Sequence, residues 1–147
     1  SFDETAVFIA RNKALAVAAK TDQHIPVLAA DTIVVCDDMI LGKPADRNDA
    51  IRILQILSGK EHRVITGVVI LFEGREISFA DTTLVDFHTL TEEQVIYYVD
   101  NYKPYDKAGA YAIQEWIGVT GIKSVHGDFY NVMGLPVSRV IREVHLL

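Results

Sequence analysis

One run of ten residues constrains the fold of this chain more than any other feature. Residues 27–36 read VLAADTIVVC, a mostly apolar and β-branched run interrupted by Asp31 and Thr32. A run of this length and composition is typical of a strand buried on both faces of a sheet. A carboxylate inside such a strand is costly unless it is paired, hydrogen-bonded or bound to a metal. Asp31 is therefore either a functional residue or, in the plainer interpretation, a strand-end side chain that caps a neighbouring turn.

The rest of the chain divides into helical and strand-like segments without a linker, a repeat or a low-complexity tract. Apolar spacing, capping residues and Pro positions predict helices over 5–20, 46–57, 91–102 and 136–144. β-branched runs predict strands over 27–36, 62–72 and 76–88, the last two joined as a hairpin through the three-residue loop 73–75. Residues 105–133 have weak periodicity and many polar side chains, so we expect a ligand there. The chain is predicted to be one domain over 1–147.

Composition narrows the classes of protein and of partner. The 147 residues carry 14 Lys and Arg against 20 Asp and Glu, a formal net charge of −6. An acidic chain disfavours non-specific binding to a nucleic-acid backbone, so a phosphate-bearing ligand would need a few local lysines or a metal. No apolar stretch approaches the ~20 residues of a membrane-spanning helix, and the first twenty residues do not resemble a secretory signal. With a single cysteine, Cys36, the sequence predicts a soluble, cytoplasmic protein.

Two segments carry candidate binding residues. Lys43 follows a glycine but precedes Pro44, which has no N–H group, so this turn is not a nucleotide-binding loop of the P-loop type. Lys43 could still act as a point charge on a phosphate, or be a solvated turn lysine. Further on, Asp106, Lys107 and Gln114 lie among tyrosines and small residues. This pattern suits a nucleobase pocket, because an amide both donates and accepts hydrogen bonds, although a surface loop tied by the Asp106–Lys107 pair is the plainer interpretation.

Six short motifs, in order along the whole chain, resemble those of the Maf family, the septum-formation-inhibitor-like nucleotide pyrophosphatases. They are Ala30-Asp31-Thr32, Leu41-Gly42-Lys43-Pro44, and the segments 57–59, 62–68, 106–114 and 127–136. The resemblance implies hydrolysis of the α–β phosphoanhydride of nucleoside triphosphates, with a divalent metal cation (Mg, Mn or Co) as cofactor. It also implies a homodimer. Together with the predicted elements, it indicates an α/β fold in which helices flank a mixed β-sheet around a central cleft, similar to Maf and Ham1 proteins.

The resemblance also implies roles for individual residues. It assigns three residues to catalysis: Asp31, Lys43 and Lys13. It assigns three to substrate binding: Thr32, Gln114 and Lys107. Asp31 resembles the family residue that activates water or holds the metal, Lys43 a phosphate contact, and Lys13 the helix lysine that faces the same cleft. Thr32 and Gln114 resemble the specificity pair of the branch that acts on dTTP and UTP.

One family feature has no counterpart in these 147 residues. Family members open with a strand and a loop of the type Ser-x-Ser-Pro-Arg-Arg, whose arginines would supply much of the positive charge on the triphosphate. We therefore expect a form that carries this loop to hydrolyse dTTP better than residues 1–147 alone. A second hypothesis is a non-catalytic nucleotide-binding or cell-division regulatory module, in line with the family's association with septum formation.

Overall fold

A five-stranded sheet forms the centre of the computed structural model, which describes residues 1–145. Its spatial order is β2-β1-β3-β4-β5. The strands are β1 (Val27–Cys36), β2 (Met39–Leu41), β3 (Glu61–Phe72), β4 (Arg75–Phe87) and β5 (Ile122–His126). All four strand pairings among the described residues are antiparallel. The α/β class is confirmed, but the prediction of a mixed sheet is wrong for this part of the chain.

Two tight hairpins account for much of the antiparallel order. In the hairpin between β3 and β4, Phe72 pairs with Arg75, so the loop has two residues and not the predicted three. Both loop residues, Glu73 and Gly74, have positive φ angles of 50° and 76°. Two positive φ angles are the requirement of a type I′ turn, whose twist matches that of the flanking strands. The β1–β2 hairpin turns through residues 37–38 in the same way.

Helices cover both faces of the sheet, as predicted. They are α1 (Phe2–Ala18), α2 (Arg47–Leu57), α3 (Glu92–Tyr102), α4 (Trp116–Gly121), α5 (Phe129–Met133) and α6 (Val137–Val144), with a 3₁₀ turn at Ala108–Ala110. The four predicted helices are confirmed as α1, α2, α3 and α6. The sequence did not reveal β5, α4 and α5, because each is too short to show a clear hydrophobic period.

Helix α1 packs very closely on one face of the sheet. Its inward side consists of Ala6, Ala10 and Ala14, all fully buried. Opposite them, β3 has Gly67, where an added Cβ would overlap the backbone of Ala6. This close approach brings the polar side of α1, including Lys13, next to β1.

The larger core lies on the other face, where α2 and α3 pack against the sheet. Val34, Leu57 and Tyr98 are among its buried members. Strand β2 pairs only with residues 34–36 of β1, which leaves the rest of that edge without a strand partner among residues 1–145. No helix in this part of the chain is long and apolar enough to cross a membrane.

Candidate active site

A pocket of about 280 Å³ opens beside the unpaired edge of β1. Its walls come from α1, β1, the turn after β2, the segment 106–114 and the segment 132–134. The structure brings all six predicted site residues to this pocket: Lys13, Asp31, Thr32, Lys43, Lys107 and Gln114. They come from four separate parts of the chain, so the tertiary fold assembles them, and their individual roles stay predictions.

Asp31 is paired with Lys13 across the gap between β1 and α1. The Lys13 Nζ donates to Asp31 Oδ1 at 2.7 Å, and the carboxylate is 18% exposed whereas the lysine side chain is 54% exposed. The pairing explains how an apolar strand tolerates a carboxylate, because a charge that is partly buried next to an opposite charge loses less stabilisation than an isolated one. Asp31 Oδ2 accepts no hydrogen bond from the other described residues. This oxygen is therefore available to a ligand or to water.

Two further lysines and one carboxylate form the charged rim of the pocket. Lys107 Nζ donates to Asp106 Oδ2 at 3.2 Å. This hydrogen bond holds the pKa of Asp106 below its usual value, and the charge of Lys43 lowers it further. Lys43 is exposed and has no ion pair within residues 1–145. Together with Lys13 and Asp31, these residues give the pocket three lysines and two carboxylates. This local excess of one positive charge, in an acidic chain, favours an anionic ligand.

The uncharged side of the pocket contains Thr32 and Gln114. Thr32 Oγ1 lies 2.8 Å from Thr66 Oγ1 and 3.4 Å from the main-chain oxygen of Gly134. Gln114 is exposed, and its amide makes no hydrogen bond to another described residue. A free amide can present its oxygen and its NH₂ group to a ligand in either orientation. Thr32 is thus held by the protein, while Gln114 is free to adapt.

Tyr111 closes the pocket from the side of the main core. Its hydroxyl lies 2.6 Å from Nε2 of His62, and both residues are buried. The His62 ring also stacks on Phe87, with centroids 5.5 Å apart. Burial lowers the pKa of His62 to about 4, so the ring is neutral near pH 7. These contacts make the Tyr111 wall a rigid part of the core.

Asp31, which is predicted to bind a metal, is not part of a cluster of potential metal ligands in the described part of the chain. Among residues 1–145, no group of three or more His, Cys, Asp or Glu side chains could together hold a metal ion. Asp31 brings one free carboxylate oxygen to the pocket, and Asp106 lies on the charged rim. One or two carboxylates are enough for a cation such as Mg²⁺ only when substrate phosphates and water complete its coordination. The side chains present thus fit a metal that arrives with a nucleotide, and not a permanently bound one.

Several residues at this site received no separate role from the sequence. Asp106 was named only as part of the pattern of a nucleobase pocket or of a surface ion pair. Thr66, which lies behind the pocket lining, was part of a motif without a function. The segment 132–134 forms a wall that no periodicity indicated. The isolated threonine in the apolar run of β3 was the one available signal for Thr66, because a buried hydroxyl needs a partner.

Comparison with known proteins relates this pocket to a family. A family model described as "Maf-like protein" matches residues 2–146. A protein of Bacteroides fragilis named dTTP/UTP pyrophosphatase is 46% identical over 145 residues, which cover 99% of this chain and 75% of the relative. Relatives with the same name in Porphyromonas gingivalis and Cytophaga hutchinsonii are 45% and 48% identical, over 97% and 96% of this chain and 72% and 64% of their own lengths. With a family match over nearly its whole length, this chain belongs to the Maf family.

Proposed function

We propose that this protein hydrolyses the α–β phosphoanhydride of dTTP and UTP to the nucleoside monophosphate and pyrophosphate. One observation carries the proposal. A single pocket combines a carboxylate with a free oxygen, three lysines and two uncharged polar side chains, in a chain 45–48% identical to proteins named dTTP/UTP pyrophosphatases. The charged side suits a triphosphate and the uncharged side suits a base.

Asp31 is proposed as the group that accepts a proton from the attacking water. As the proton moves to Oδ2, the water oxygen bonds to a phosphorus of the anhydride and the bridging P–O bond breaks, so that the bridging oxygen leaves with the departing phosphate group. Lys13 holds Oδ1 and thereby keeps Oδ2 directed away from α1. Lys43 and Lys107 would neutralise charge on the phosphates, which is the main task of a protein in phosphoryl transfer.

A divalent cation such as Mg²⁺, Mn²⁺ or Co²⁺ is proposed as the cofactor. As the alternative to accepting the proton, the same free oxygen of Asp31 would be its protein ligand, with the nucleotide phosphates and water as the other ligands. When bound, the cation would polarise a phosphoryl oxygen and offset negative charge.

Gln114 is proposed to read the base. Thymine and uracil present N3–H as a donor beside O4 as an acceptor, and the Gln114 amide can accept from the first and donate to the second. Thr32 would supply the second contact on this side of the pocket.

We further propose a homodimer in the cytoplasm that does not bind nucleic acid. The exposed apolar side chains of α5 and α6, Tyr130, Val137 and Ile141, support the dimer because they would be covered by a second copy. The net charge of −6 supports the absence of nucleic-acid binding. Sedimentation of the purified chain checks the first, and a filter-binding assay with duplex DNA and RNA checks the second.

Product analysis on a panel of triphosphates tests the reaction. We expect dTTP and UTP to give the monophosphate and pyrophosphate in equal amounts, resolved by ion-exchange chromatography. Release of the diphosphate and inorganic phosphate would place the cleavage at the wrong anhydride. Saturable binding without any product would favour the nucleotide-binding or regulatory module instead.

A further inference from the structure

We propose that Thr66 makes Thr32 a hydrogen-bond acceptor toward the pocket, and that this polarity selects bases with a proton on N3. Thr66 is thereby a positioning residue, buried behind Thr32 and outside the pocket lining. The proposal rests on the proposed function, because it concerns the base-reading side of the same pocket.

The sheet register sets the two threonines side by side. Thr32 on β1 and Thr66 on β3 are directly opposite each other, and their hydroxyl oxygens are 2.8 Å apart. Thr66 is 0% exposed, so its hydroxyl has no water to bond. Two main-chain oxygens lie next to the pair: that of Asn131 is 3.5 Å from Thr66 Oγ1, and that of Gly134 is 3.4 Å from Thr32 Oγ1.

Each hydroxyl has one proton, and the short contact between them uses one of the two. If Thr32 donates to Thr66, then Thr66 donates to the Asn131 oxygen. If Thr66 donates to Thr32, then Thr32 donates to the Gly134 oxygen. In the first arrangement the 2.8 Å contact holds the proton of Thr32, whereas in the second the Gly134 oxygen at 3.4 Å competes for it with a ligand. The proposed arrangement is the first, in which Thr32 offers a lone pair to a ligand in the pocket.

The two main-chain oxygens are held in place by a buried amide. Asn131 is 0% exposed, and its Nδ2 donates to the main-chain oxygens of Val64 and Asp81 at 3.1 Å each. The N–H of Gly134 in turn donates to the main-chain oxygen of Asn131 at 3.0 Å. Helix α5 and the residues after it are thus fixed to β3 and β4, so the main-chain acceptors next to the two threonines do not move away when the pocket fills.

A Thr32 hydroxyl that acts as an acceptor can distinguish bases that the Gln114 amide by itself cannot. A freely rotating amide can turn its oxygen or its NH₂ group toward either position of the base. It can therefore hydrogen-bond to cytosine as well as to uracil. Uracil and thymine carry a proton on N3, whereas N3 of cytosine is an acceptor. A fixed acceptor at Thr32 shares the N3–H proton of uracil or thymine with the Gln114 oxygen in a three-centre hydrogen bond, and it faces a second lone pair on N3 of cytosine. A single hydrogen bond of this kind corresponds to a preference of about tenfold.

The test compares kcat/KM for UTP and CTP in wild type and in Thr66→Val, which keeps the shape and removes the hydroxyl. Without Thr66, the one inward acceptor that residues 1–145 leave to Thr32 is the Gly134 oxygen at 3.4 Å, so Thr32 is freer to donate to a ligand. We expect the UTP/CTP ratio to fall by about threefold to tenfold in Thr66→Val, and Thr66→Ser to restore it. Ser58→Ala is the matched control, because Ser58 has a partly buried hydroxyl that accepts from the Leu90 N–H and is bonded to neither Thr32 nor Asn131. It should lower the melting temperature and keep the ratio.

An unchanged ratio in folded Thr66→Val, or an equal fall in Ser58→Ala, would overturn the proposal. If Thr66→Val does not fold, Thr32→Val takes its place and should lower kcat/KM for UTP more than for CTP, with an equal loss for both counting against the proposal. Calorimetric measurement of UTP and CTP binding to the same variants tests the role of Thr32 independently of the proposed hydrolysis. Binding with the expected UTP/CTP ratio but without turnover would support the acceptor role of Thr32 and reject the proposed hydrolysis. Turnover without a preference between UTP and CTP would reject the acceptor role of Thr32 alone.

Discussion

Replacement of Asp31 by Asn separates the chemical role of this carboxylate from its structural role. Asn has nearly the same shape, and its oxygen can still accept the hydrogen bond that Lys13 Nζ makes to Asp31 Oδ1 at 2.7 Å. Only the charge and the proton-accepting capacity disappear. The lysine side chain is 54% exposed, so the lost ion pair should cost less than about 1 kcal/mol of the free energy of unfolding.

The expected loss of activity is much larger than this loss of stability. If Asp31 accepts the proton of water or holds the metal, its removal should lower kcat by at least ~10²-fold. That factor corresponds to about 2.7 kcal/mol of transition-state stabilisation. The difference between the two free energies is the evidence for a catalytic role.

The assay measures pyrophosphate release at saturating dTTP together with urea unfolding of the same preparations. Asp86→Asn is the matched control, since Asp86 is a partly buried carboxylate on β4 that does not line the pocket. We expect it to keep kcat within about twofold of wild type. Turnover of Asp31→Asn close to that of the wild type would refute the assignment of Asp31, whatever the unfolding curves show.

Three further outcomes are expected. Gln114→Glu should lower kcat/KM for dTTP and UTP by ~10-fold or more and affect CTP less, since a carboxylate accepts from the N4 amine but leaves O4 unpaired; a uniform fall over the three nucleotides would contradict base reading. EDTA should abolish turnover without lowering the melting temperature, because residues 1–145 hold no ligand cluster, and Mg²⁺, Mn²⁺ or Co²⁺ should restore it. His62 has a pKa of about 4 in the fold against about 6.5 for a histidine in water, so the unfolded chain binds the extra proton and the free energy of unfolding should fall by about 2 kcal/mol between pH 7 and pH 4.5. Unfolding curves at pH 7 and pH 4.5 should show this loss in wild type and a smaller one in His62→Gln.

The elements that local chemistry controls were predictable from the sequence. The strand over 27–36 has the predicted bounds, because its β-branched run ends at a two-residue turn. Helix α3 begins after Thr91, where both hydrogen bonds of the predicted capping box are present. Such signals act within a few residues, so they do not depend on the rest of the fold. Asp31, Lys43, Lys107 and Gln114 were singled out by their local sequence, whereas Lys13, Thr32 and the individual roles were named through the resemblance.

What only the tertiary structure decided is how distant residues meet. Asp31 was expected to need a partner, yet nothing within the strand identifies Lys13, which reaches it because α1 packs closely over Gly67. Thr32 and Thr66 are 34 positions apart, and their contact depends on the register of β1 against β3. A shift of one residue would turn each side chain to the opposite face of the sheet. The register is set jointly by the hairpins and by the packing of both faces of the sheet. These contacts, and the direction of the hydrogen bonds that they impose on the pocket, therefore cannot be predicted from the sequence of any single segment.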